Sequence, residues 1–130
     1  MTDRRPERVY GILVREGQVF LRHQAGALGL PGGVFRPLAD HRKNELKAHL
    51  YDQLGILADL IWAQGAFDYQ APGEAAAHFS GFYSIWGWEG EIPGPAGVWL
   101  DKQAVIDSNL APSLRILLVS VLDTLAMRTT

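Results

Sequence analysis

Leu28-Gly29-Leu30-Pro31-Gly32-Gly33, followed by the run from Asp40 to Leu54-Gly55-Ile56, is the stretch that decides how this chain folds. The glycines and Pro31 rule out a regular helix over the first part. Asp40 is suited to cap a helix, because its carboxylate accepts an orphan N–H of the first turn. The helix then runs to Leu54 and stops at Gly55, which tolerates the left-handed conformation of a helix end. Leu46, Leu50 and Leu54 repeat every four residues and predict its buried stripe. A glycine-rich loop that turns straight into an amphipathic helix is the first structural expectation.

Upstream, Val9–Val14 and Val19–His23 are apolar runs rich in β-branched and aromatic residues, with Glu16-Gly17 between them. That pattern predicts a hairpin. Both faces of the first strand are apolar, so layers are expected on both sides of the sheet. Downstream, residues 56–70 and 76–88 read as two longer strands joined by a turn at Ala71-Pro72-Gly73-Glu74. Glu91 to Gly97 holds two prolines and two glycines and reads as a loop, and Val98-Trp99-Leu100 as a short strand. A last helix starts near Pro112, with Leu114, Leu117, Leu118, Val121, Leu122 and Leu125 on its buried face. No repeat or linker divides the chain. The expected organisation is a flexible tail over residues 1–8 and one domain over residues 9–130.

Bulk properties narrow the function. The chain has 130 residues, 48% hydrophobic and 20% charged, as in a globular protein large enough for a core. It has no cysteine, which excludes thiolate nucleophiles and Cys-ligated zinc, and it is compatible with a reducing compartment. A net charge of -2 argues against nucleic acid as a partner. Arg4, Arg5 and Arg8 are read as a solvated tail. No secretory signal is visible, and the apolar run Leu114–Leu122 is too short to span a bilayer, so a cytoplasmic protein is expected.

The loop and helix together resemble the Nudix box, G-x5-E-x7-R-E-U-x-E-E-x-G-U with U aliphatic. The hairpin before it, Arg22 near the hairpin's end, Trp99 on a late strand and the helix from Pro112 fit the same family, so the resemblance spans Val9 to Ala126. It needs one extra residue in the loop after Gly33, where an insertion is tolerated. Leu50 then takes the aliphatic position and Leu54-Gly55-Ile56 closes the box. The resemblance implies an α/β/α sandwich with a mixed β-sheet between helices. It also implies hydrolysis of a diphosphate linked to a nucleoside or similar group, a divalent metal (magnesium or manganese), a small phosphorylated ligand, and often a homodimer.

The box departs from its pattern where it matters for metal. Asp40 stands at the first glutamate, Ala48 and His49 replace Arg-Glu, and Asp52 and Gln53 replace Glu-Glu. One carboxylate is a poor anchor for a hard cation such as magnesium. On a wheel of about 100° per residue, Glu45, His49 and Asp52 fall within roughly a 60° sector away from the leucine stripe. They are the candidate catalytic and metal-holding set, and an imidazole in it favours manganese or zinc. The competing reading is an exposed, charged helix face. Arg22 is the candidate for holding phosphate, or else a solvated arginine. Gly32 and Gly33 are candidates for backbone N–H contacts to phosphate oxygens, or else serve only the turn. The basic residues Arg36, His41, Arg42, Lys43 and Lys47 offer charge near the box, or only solubility. Glu89 and Glu91 are weaker loop candidates, and His23 and His78 stand isolated. Two functions remain: a Nudix-type hydrolase with weak activity, and a catalytically inactive module that binds a nucleotide or other phosphorylated ligand.

Overall fold

A computed structural model describes residues 6–35 and 42–128. The hairpin forms as expected, with β1 over Arg8–Arg15 and β2 over Gln18–Gln24. Glu16 and Gly17 take φ of 53° and 76° at its turn, the conformation whose twist matches that of the two strands. Two short strands follow, β3 (Ala27–Gly29) and β4 (Gly32–Val34). Helix α1 covers Arg42–Leu54, and Gly55 at its end has φ 71°. The cap expected at Asp40 lies outside the described residues. Strands β5 (Leu57–Tyr69) and β6 (His78–Glu89) pair antiparallel. A short 3-10 turn over Gly94–Ala96 leads into β7 (Gly97–Asp101). Helix α2 (Lys102–Ile106) was not expected: Asp101 caps it, its carboxylate accepting from the Ala104 N–H at 2.9 Å. Helix α3 covers Pro112–Arg128.

The strands form one mixed sheet in the order β3-β2-β1-β6-β5, with β4 added to β1 and β7 to β2. Pair β1·β6 is parallel and the others are antiparallel. Each face of β1 feeds a separate core. Val9 and Leu13 join Phe20, Ile85 and the α1 leucines Leu46, Leu50 and Leu54. Tyr10, Ile12 and Val14 join Leu21, Phe82 and the α3 residues Leu114, Leu118, Val121 and Leu122. The doubly apolar first strand is thus the middle of a three-layer α/β/α sandwich, with α1 on one side and α2 and α3 on the other.

Two boundaries shift. Arg8 belongs to β1 and not to a preceding tail, because the Glu7 N–H donates to the Phe79 carbonyl at 2.7 Å and starts the pairing with β6 early. Strands β3 and β4 occupy a stretch read as loop, where each is held by a longer neighbour. Among the described residues, no helix is long and apolar enough to cross a membrane.

Candidate functional site

The site is built where β4 meets α1. Gly32 has φ 142°, a conformation open in practice to glycine alone. A Cβ there would stand 2.1 Å from the Val9 carbonyl oxygen. Glycine at this place therefore serves the approach of β4 to β1. The Gly32 N–H donates to Gln53 Oε1 at 3.0 Å, and Gln53 Nε2 donates to the Gly32 carbonyl at 2.8 Å. One side-chain amide from the last turn of α1 thus engages both polar groups of one loop residue.

Gly33 is held in a different way. Glu7–Phe35 and Gly11–Pro31 are hydrogen-bonded across β1 and β4 at 2.9 Å each. Antiparallel pairs alternate, so Val9–Gly33, midway between them, is the next hydrogen-bonded pair. The N–H groups of Gly32 and Gly33, candidates for phosphate contacts or for the turn alone, are directed inward, one to Gln53 and one to β1.

His49 Nε2 lies 2.9 Å from the Val34 carbonyl, so Nε2 carries the proton and Nδ1 keeps its lone pair in the neutral ring. Its ring rests on Gly33, where a Cβ would come within 3.1 Å of Cε1. His49 and Gln53 together tie α1 to β4 along the whole short strand.

The other expected residues scatter. Glu45 is buried, 6% exposed, and not on an open face. Helix α1 packs on β1, β4 and β5, so its covered arc is wider than the leucine stripe from which the sector was drawn. Asp52 is exposed. Among the described residues, no three His, Asp or Glu side chains gather so as to hold a metal ion. Glu45, His49 and Asp52 share a helix without forming a metal cluster, and one open carboxylate does not fit magnesium. Arg22 is half-buried on β2, opposite Gly29 of β3 and Gly97 of β7. Strand alternation puts it on the α1 side with Phe20. Glu89 and Glu91 are exposed, and Arg36 and His41 lie outside the described residues.

The sequence reading missed a cavity of about 620 Å³ on the opposite side of the sheet, between β3, the turn after β5 and the loop joining α2 to α3. Leu28, Leu100 and Leu114 give it apolar surface, and Gln70, Asp107 and Asn109 give it polar groups. Such a mixture suits a flat or apolar organic group that also forms a few hydrogen bonds. Tyr69 lines it too; burial pushes this phenol and that of Tyr10 up to about 12, so both remain neutral packing groups. The one sequence signal for this site was a polar cluster, Asp107-Ser108-Asn109, between two apolar segments.

No protein-family model matches the chain, and no curated protein matches it significantly. Solved structures do match. A MutT Nudix hydrolase from Burkholderia pseudomallei superposes with TM-score 0.71 at 20% identity, over 89% of this chain and 97% of that one. A MutT protein from Bacillus halodurans gives TM-score 0.70 at 20% identity, over 88% and 80%. The ORF135 protein of E. coli gives TM-score 0.70 at 22% identity, over 95% and 92%. At these identities the likeness is one of fold, and the fold is the MutT-like Nudix sandwich.

Proposed function

We propose, from the premise of a MutT-like Nudix fold, that this chain is a weak, cytoplasmic Nudix-type hydrolase of a diphosphate linked to a nucleoside or similar group. The observation that carries this reading is an exposed carboxylate, Asp52, on a loop–helix junction already locked by Gln53 and His49. Arg22 faces the same side of the sheet as α1 and is assigned to the phosphates, while the cavity beyond β3 is assigned to the organic group. Arg22 and Leu28 lie on the same β2–β3 ladder but on opposite faces of the sheet. Water attacks a phosphorus, the bridging P–O bond breaks, and Asp52 takes the proton from the water, while His49 holds the helix against β4. Activity is weak because the helix lacks the carboxylates that a metal-assisted route requires.

A second reading, a non-catalytic module for a phosphorylated ligand, is favoured by one observation. The side chains of His49 and Gln53 are engaged by the backbone of β4 and not directed at a ligand.

One assay separates the two. Nucleoside diphosphate derivatives are incubated with magnesium, with manganese and with chelator. The hydrolase reading expects slow turnover that falls on the order of 100-fold in Asp52→Asn, the lower end of what a proton-accepting group contributes. Stability should change by no more than about 0.5 kcal/mol, as for other exposed substitutions. Thermal stabilisation by a ligand that is never hydrolysed would establish the binding module. Turnover untouched by Asp52→Asn would place the chemistry elsewhere.

A further inference from the structure

The Gln53–Gly32 pair reaches beyond either reading. We propose that Gln53 is the positioning residue of the box, closing loop against helix by hydrogen bonds alone, with no cation between them.

Donors and acceptors match at this contact. A carboxamide presents one of each, and Gly32 offers the complement: its N–H meets Oε1 at 3.0 Å and its carbonyl meets Nε2 at 2.8 Å. Glutamate has the same length but two acceptors. One oxygen could keep the Gly32 N–H. The other would face the Gly32 carbonyl oxygen, acceptor against acceptor, at the 2.8 Å contact that Nε2 now makes favourable. A divalent cation bound to both oxygens at about 2.0–2.6 Å would make that contact attractive again. Glutamate at this position thus fits a junction closed by metal, and glutamine fits one closed without it. The second tie, His49 Nε2 to the Val34 carbonyl, also needs no ion. The box of this chain therefore disagrees with the metal its fold implies, and the disagreement is built into two side chains that hold its loop.

The test reads stability, so it stands even if the wild type hydrolyses nothing. Thermal midpoints are compared for wild type, Gln53→Glu and Gln53→Met, in chelator and in millimolar magnesium or manganese. The wild-type midpoint should be the same in every buffer. Gln53→Glu should melt about 5 °C lower in chelator and recover most of that with either cation. Gln53→Met, which loses both hydrogen bonds and offers no ligand, should melt lower in all buffers alike. A wild type that loses several degrees in chelator, a Gln53→Glu that matches wild type in chelator, or one that no cation restores would each overturn the proposal. Should Gln53→Glu fold in no buffer, hydrogen exchange in the wild type decides. Protection of the Gly32 amide that persists in chelator upholds the proposal, and its loss there overturns it.

Discussion

Gly32→Ala should destabilise the protein by at least about 3 kcal/mol, out of a total stability of about 5–15 kcal/mol for a domain. Two effects add. A φ of 142° is strained for any residue with a Cβ. The new methyl would also stand 2.1 Å from the Val9 carbonyl oxygen and 2.8 Å from Tyr10 Cα, which forces β4 off β1 and pulls Gly32 away from Gln53. Gly55→Ala isolates the first effect, since Gly55 also has positive φ, at 71°, but nothing lies within 4 Å of its missing Cβ. That change should cost about 1–2 kcal/mol. Urea unfolding of both variants checks the pair. Equal losses would mean that backbone strain alone matters and that the close approach of β4 does not.

Phe82→Ala should cost about 3–5 kcal/mol, the usual range for removing a buried phenyl ring. Phe82 is 0% exposed and sits on β6 beneath three rings: Phe67 stacked at 4.3 Å, Tyr10 at 5.8 Å and Tyr69 edge-on at 5.7 Å. This cluster lies on the α3 side, next to the cavity that Tyr69 lines. Truncation should therefore also loosen that cavity, whereas Phe82→Leu keeps most of the volume and should lose less. A loss below about 1 kcal/mol for alanine, measured by denaturant midpoint, would contradict the assigned core.

Most of the fold was legible because its signals are local or periodic. The α1 leucines, the Glu16-Gly17 turn and the α3 stripe each announce an element within a few residues. The missed elements are short and depend on distant partners. Strand β4 is three residues long and exists through its ladder with β1; β3 depends on β2 in the same way. Helix α2 begins on Asp101, which is both the last residue of β7 and the cap, so no break marks its start.

The site was legible only in outline. Read along the sequence, His49 and Gln53 are two lost glutamates. In the structure they make three hydrogen bonds to β4, a strand that the sequence did not reveal, so their partners were invisible. Glu45 was placed by rotation about the helix axis, which says nothing of how many strands the helix packs against. The cavity draws on residues from three separate regions of the chain, and only the polar cluster Asp107-Ser108-Asn109 stands out within its own segment.

The measurement that bears most directly on this account is calorimetric titration of the wild-type protein with magnesium, because the central claim is a Nudix fold whose box is closed by hydrogen bonds and not by cations. The account predicts no saturable binding in the micromolar range, and no difference between wild type and Asp52→Asn. Micromolar magnesium affinity that disappears in Asp52→Asn would contradict it and make the box helix a working metal site.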